Sequence, residues 1–354
     1  MLTPIYSRPE TIDVKRNTFI LITLVAAILP VLSMAIAFGS VSIPFGTSFR
    51  VLLRAVLFLP QTDPEPVLLT ILQLRLPQSL AAFVVGGGLS IIGVAMQALV
   101  RNPLAEPYIL GVSSGASAGA SLFYLGFLPT FIAAKVDITF AAFAGALASI
   151  SIVYMVAKSK SGVSVSRLLL AGVAMASLMA SISSYVTLAS PDPNRMRAVL
   201  FWLLGSFHHV TWGDLPLAVG MTGGGIIVLM AMSRSLDAML IGEEPAKSLG
   251  IRVETVKKVL IVLSALVTGA LVSISGAIGF IGLIIPHAVR SVLGVNHRFV
   301  LPGSLLAGGL FLVIADTMAR SMLPGQQLPV GIVTAIAGVP FFLFLLRRTD
   351  YQFK

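Results

Sequence analysis

The side chains of this 354-residue chain that could do chemistry are few. There is no cysteine, which excludes disulfides, thiolate metal sites and cysteine nucleophiles. The four histidines, the neighbours His208 and His209 with His287 and His297, are scattered along the chain, and no nucleophile–base pair or metal-ligand set can be built from them. No G-x-x-x-x-G-K-S/T occurs, so ATP cannot be held in a P-loop. What the chain does offer is a polar stretch made for contact. RSLDAMLIGEEPAKSLGIRVETVKK, Arg234 to Lys258, sets Glu243 and Glu244 at a helix start, where negative charge is favoured. Ala246 and Leu249 then give a small apolar face, and Gly250 a helix end. One or two short helices of this kind fit a groove on another protein and pass force through it. Elsewhere Asp316 precedes Arg320 by four residues, a spacing that pairs them on a helix as structural support.

These residues sit among long apolar runs. The chain is 56% hydrophobic and 11% charged, against about one quarter charged in soluble domains, which excludes a water-facing globule. The net charge of +10 comes with no basic stripe interleaved with aromatics, so no nucleic-acid partner is expected. Lys and Arg gathered on cytoplasmic loops account for it better. About 20 apolar residues cross a bilayer as helix. Charge-free gaps place such spans near 19–39, 77–99, 108–127, 136–157, 168–189, 214–233 and 328–346, and the stretch 299–320 holds one more, with Asp316 and Arg320 near its end. The run Phe19 to Gly39 is too long for the apolar core of a signal peptide and counts as a first span.

Val259 to Val289 is too long for one span and short for two, with Ser275, Gly276 and Gly279 suited to a tight reversal. Two helices there make ten spans. Only Arg50, Arg54, Arg75, Lys135, Arg195, Arg197 and Arg320 of the 24 basic residues then face outward. One helix there divides the basic residues almost evenly. The positive-inside rule therefore predicts ten spans with both termini cytoplasmic. The expected organisation is a tail over 1–18, a ten-helix membrane domain over 19–347 with a long inner loop at 234–256, and a second tail over 348–354.

Gly111, Gly115 and Gly119 in the third span, and the run Ala171 to Ser184 in the fifth, place small residues where helix backbones can approach closely in lipid. Ser113, Ser114, Ser181 and Ser183 offer a polar lining. The second span and the seventh-to-eighth both run through glycines into a proline-bearing inner turn, Asn102-Pro103 and Pro286-His287, as in an inverted repeat. Between Ser190 and Asp214, the stretch Met196 to Gly205 is too short to span. It reads as a short helix dipping in from the outer face, anchored at the interface by Trp202 and Trp212.

Several motifs, in order, closely resemble the permeases of the ABC importers that take up ferric siderophores, haem and cobalamin. They are RLPQSLAAFVVGGGLSIIGVAMQALVRNPLAEP from Arg75, SRLLLAGV from Ser166, FWLLGS from Phe201, SGAIGFIGLIIPHAVR from Ser275 and LPVGIVTAIAGVPFF from Leu328. With the composition, this implies an all-α integral membrane protein of about ten transmembrane helices, some short and broken. The resemblance also implies a second permease copy, expected as a homodimer, two copies of an ABC ATPase subunit and a periplasmic substrate-binding protein. The complex would sit in the bacterial cytoplasmic membrane and need no cofactor.

Residue roles follow from the same resemblance. Glu244, Ala246 and Gly250 fit the family's E-x-A-x-x-x-G pattern, so Glu243, Glu244, Ala246, Leu249 and Gly250 are expected to couple the ATPase. Arg75 and Arg320 match arginines that meet carboxylates on the binding protein, and Gln78 stands where another arginine often follows. Asn102, Leu104, Val165 and Ser166 match a cytoplasmic gate, Val165 departing from a hydroxyl residue. Pro286, His287 and Arg290 match a PH-x-x-R turn near the inner face. His208 and His209 replace small residues of relatives and would touch a metal chelate in transit. A bulky chelate is expected, a ferric siderophore first, haem or cobalamin next. An ion-coupled secondary transporter would need ionisable groups inside the spans, and an intramembrane enzyme a catalytic constellation; the chain shows neither.

Overall fold

The structure, a computed structural model, describes residues 13–39, 42–127, 136–159, 162–190, 192–322 and 328–348. Most of the two expected tails, and Lys135 and Lys160 among the basic residues, lie outside them. Helix α1, Val14–Ala37, starts ahead of the apolar gap because Asp13 caps it, its carboxylate accepting from Arg16 N–H at 3.0 Å. Two helices follow that charge-free gaps do not reveal, α2 (Phe45–Val56) and the single turn α3 (Glu65–Leu68). A π-helical turn, Leu69–Arg75, then runs without interruption into α4, Leu76–Val100. The widened turn falls just before Pro77, which has no N–H for the regular ladder. Glu65–Val100 is thus one 36-residue helical rod. At about 1.5 Å per residue it far exceeds the roughly 30 Å of hydrocarbon.

The rod's α4 section is the axis of the molecule, buried along most of its length. Its glycines let other backbones touch it. A Cβ on Gly86 would stand 2.3 Å from Gly308 O, and one on Gly93 would stand 2.0 Å from Gly282 O. Gly308 belongs to α14 (His297–Ser321) and Gly282 to α13 (Ile281–Leu293). The glycines expected to mediate packing in the third span do so. Gly115 and Gly119 of α5 (Val112–Tyr124) press on the Gly145 and Ala141 carbonyls of α6 (Ile138–Ala157). Dispersion and close approach supply the attraction that water would otherwise drive.

After α6 a short hairpin pairs Lys158–Ser159 with Gly162–Val163 and leads into α7, Val165–Leu188. Its Gly172 packs on Ile109 O, yet most of α7 stays exposed on this single chain. The outer segment holds the short helix α8, Pro193–Leu203, started by Asp192, whose carboxylate accepts from Asn194 N–H at 2.9 Å. Helices α9 (Leu215–Ala231) and α10 (Ser233–Ile241) meet at a 62° bend. The chain ends with α11 (Glu243–Ser248), α12 (Val253–Ser275), α13, α14 and α15 (Val330–Arg348).

A helix falls on each expected span, and 259–289 is two helices broken at Gly276–Phe280, where both end residues take φ near +70°. Among the described residues six helical stretches are long and apolar enough to cross a membrane alone, and α9 with α10 would add a seventh. Helices α5 and α13, 13 residues each, are too short for that. Pro286 corrects the reading of an inner turn: it lies inside α13. Its missing N–H leaves the Gly282 carbonyl without its helical donor, and Gln97 Nε2 donates to that oxygen instead, at 3.2 Å. The resemblance between the two glycine-to-proline runs therefore does not extend to their geometry.

Candidate functional site

Two regions gather the polar residues, one at each end of the bundle. At the outer end Arg75, which closes the π-helical turn, is 7% exposed and donates from Nη1 to Ile36 O at 2.5 Å. Arg320, in the last turn of α14, reaches the neighbouring Ala35 O at 3.4 Å and pairs with Asp316 at 2.9 Å. Both side chains of that pair are under a tenth exposed, as the four-residue spacing anticipated. The two arginines thus converge on the last carbonyls of α1, where a helix end carries partial negative charge. On this single chain both side chains are largely enclosed.

Next to them the chain folds back through 204–214. Gln78 Nε2 donates to His208 O at 3.0 Å, and Trp212 Nε1 to Leu72 O at 2.9 Å, so the outer segment is pinned to the rod. The His208 and His209 rings stand edge to face at 5.4 Å. His208 Nδ1 lies 2.9 Å from Ser206 Oγ, and His209 Nε2 lies 2.9 Å from Ile274 O. Since a carbonyl only accepts, His209 carries its proton on Nε2. Burial, and then the neighbouring His208, hold its pKa below the usual imidazole value. Both histidines line an outward cavity of about 310 Å³ with Tyr124, Arg197, Phe201 and Trp202. Trp202 is 4% exposed and its indole N–H has no partner among the described residues.

At the inner end, α11 is closed by paired bonds from its C-terminal residues. Gly250 N–H bonds Lys247 O at 2.9 Å and Ile251 N–H bonds Ala246 O at 3.1 Å, with Gly250 at φ +81°. This is the glycine-ended cap expected of a short helix. Glu244 pairs with Lys247 at 2.7 Å and raises the pKa of that ammonium. The expected apolar face is divided: Ala246 is fully buried against the bundle, whereas Leu249 is 68% exposed. Of the pair, only Leu249 is available to a partner.

Of the expected gate residues, Val165 and Ser166 line a cavity with the head of this helix, and Asn102 and Leu104 stand in the elbow after α4. Arg101 ends α4 in the left-handed region, and Asn102 Oδ1 accepts from Leu104 N–H at 2.9 Å, which fixes the elbow. Arg101, Val165, Ser166, Glu243 and Lys257 line one inward cavity of about 430 Å³. The structure therefore brings Val165 and Ser166, the expected gate positions at the head of α7, together with Glu243 at the head of α11.

Three features went unseen in the sequence. Lys257 is enclosed between Glu243 and Glu254, at 2.7 and 3.2 Å. Tyr108 braces the broken stretch 276–280, its hydroxyl donating to Ile278 O at 2.9 Å and accepting from Ile278 N–H at 3.0 Å. The Glu106 carboxylate comes close to the Phe280 backbone N–H at the head of α13. The proline-flanked acid and the tyrosine two residues on were the only signals, and their partners lie far away in the chain. His297 is structural, paired with Asp237 at 2.6 Å. His287 stacks edge to face on Phe341, and Arg290 donates to Gln97.

The FecCD transport family matches this chain over residues 23–348. A cobalamin import system permease of Halobacterium salinarum is 41% identical over 289 residues, covering 82% of this chain and 76% of its own length. A hemin transport system permease of Yersinia pestis is 38% identical over 283 residues, covering 79% and 84%. Among solved structures, an inward-facing metal-chelate type ABC transporter superposes with a TM-score of 0.80 at 29% identity. That match covers 94% of this chain and all of the other.

Proposed function

This chain belongs to the FecCD transport family, the permease subunits of ABC importers, and from that membership we propose that it carries a bulky metal chelate across the cytoplasmic membrane of a bacterium. It is not an enzyme; ATP hydrolysis belongs to a separate subunit. The observation that carries the reading is the inner cavity, where the gate positions Val165 and Ser166 share a wall with Glu243 of α11. Motion of a helix held by an ATPase would reach the gate there directly. Ten crossings with both termini inside, a homodimer, two ATPase copies and a substrate-binding protein on the outer face complete the proposal. A ferric siderophore is the proposed cargo, haem or cobalamin the next. The outer cavity with His208 and His209 is its proposed entrance, where aromatic walls suit a large ligand and two single imidazoles hold it loosely.

Purification of the tagged chain in mild detergent under iron limitation tests the reading. An ATPase subunit co-eluting in near-equal amount, and lost when Glu244 and Gly250 are replaced together, is the expected result. A chain that elutes alone and transports in liposomes without ATP would be a secondary carrier, and the proposal would fall.

Docking of the binding protein is proposed to engage Arg75 and Arg320. Because Arg75 holds a carbonyl of α1, Arg75→Glu is expected to weaken docking, more so at low salt, and to lower stability by about 2 kcal/mol, the scale of a hydrogen bond to a charged group. Titration of the binding protein at two salt concentrations, beside a thermal melt, checks both. Unchanged affinity would remove Arg75 from the docking face.

A further inference from the structure

The Lys257 ammonium ties α11 to α12, and its partner Glu254 ties both to the hairpin before α7. The ammonium lies 2.7 Å from Glu243, the first residue of α11, and 3.2 Å from Glu254, in the first turn of α12, with its side chain 5% exposed. The same Glu254 carboxylate accepts from Val163 N–H at 2.9 Å. Gly162, at φ +120°, lies so close against it that a Cβ would stand 2.3 Å from Oε2. Val163 ends the hairpin, and the gate residues Val165 and Ser166 open α7 just beyond. An unbroken path of charge-assisted bonds thus runs from the coupling helix through Lys257 and Glu254 to the gate.

An enclosed cation is tolerated only with its counterions in place. The clasp therefore resists partial opening: if α11 shifts, Lys257 and Glu254 either follow it or leave a charge unpaired. Other charges lie near the clasp, Lys258 close enough to act on the Glu254 carboxylate. Lys247 pairs with Glu244 on the exposed side of α11, and Arg101 approaches Gly242 across the cavity.

We propose that Lys257 is a positioning residue that transmits displacement of the coupling helix to the gate at the head of α7. This rests on the reading that α11 meets an ATPase. Uptake and ATP hydrolysis should be measured in the same proteoliposomes, with permease, ATPase and binding protein reconstituted together and ferric siderophore as cargo. Lys257→Met is expected to leave ATPase binding intact, because the side chain is enclosed, and hydrolysis within about twofold. Cargo moved per ATP is expected to fall about tenfold, and Lys257→Arg to restore most of it.

Glu254→Gln, at a half-exposed site where folding is safe, keeps an acceptor for Val163 and is expected to lower the same ratio about threefold. Its combination with Lys257→Met is expected to be no worse than Lys257→Met alone, as for residues acting through one contact. A transport ratio equal to wild type in Glu254→Gln and Lys257→Met would overturn the clasp while leaving the importer standing. Wild-type protein that binds no ATPase would instead remove the reading beneath it.

Discussion

Leucine in place of Gly93 is expected to leave little folded protein in the membrane. Helices α4 and α13 touch there backbone to backbone, and a Cβ would meet Gly282 O at 2.0 Å and Gly282 Cα at 2.6 Å. No rotamer relieves a clash with main chain, so the helices must part. Parting them also breaks the Gln97 bonds to the Gly282 and Leu283 carbonyls, the first of which Pro286 leaves without a helical donor. Overpacking a core costs about 1–3 kcal/mol when side chains can adjust; here the cost is expected at about 4 kcal/mol or above, in the range that marks a broken contact. Yield of monodisperse protein in mild detergent and its melting temperature are the measurements. Gly224→Leu is the control, because a Cβ there meets nothing within 4 Å. Equal behaviour of the two variants would refute the packing described.

Aspartate at Leu249 is expected to leave the fold intact and to abolish most ATP-driven uptake. The side chain is 68% exposed just after α11, and Ile241, at the end of α10, is 70% exposed. Two large apolar groups held open at the inner face are suited to the buried centre of an interface, where single residues dominate the affinity. Surface substitutions of this kind change stability within about 0.5 kcal/mol, whereas association with the ATPase is expected to weaken at least tenfold. Co-elution in detergent and uptake in whole cells give the two readouts. Ala246→Asp separates the faces: fully buried against the bundle, it is expected to lower the melting temperature. Stable protein with full uptake in Leu249→Asp would place the contact elsewhere on the loop. At Gly250 a bulky residue meets open space, so its cost is the left-handed backbone, about 1–2 kcal/mol. Such a substitution is expected to abolish uptake by unfastening the α11 cap.

The helices were legible because a bilayer demands long apolar runs, and charged residues mark where those runs stop. That logic fails where helices lie outside such runs. Arg50, Arg54 and Glu65 broke the pattern, so α2 and the head of the rod went unseen, although Arg50 pairs with Asp63 at 3.0 Å. At the candidate site, residue types were readable and directions were not. Ala246 and Leu249 are equally apolar in the sequence, and only packing decides that one faces the bundle and the other the solvent. Lys257 read as one more cytoplasmic charge, because its partner Glu243 stands 14 residues away, across a helix cap. Tyr108 and Ile278 are 170 residues apart, a distance no local pattern spans.

The placement of the two tryptophans has an optical consequence. Trp202 and Trp212 are the only ones in the chain, and both belong to the outer segment. Tryptophan emission from the unlabelled protein therefore originates at one end alone. Trp202, in the cavity wall, would report a coloured iron or haem cargo by quenching through energy transfer. Trp212, 43% exposed and tied to Leu72, would supply a steadier background. Events at the inner face would stay dark, so a change in glow on adding nucleotide would mean that a signal begun at α11 had crossed the full depth of the molecule.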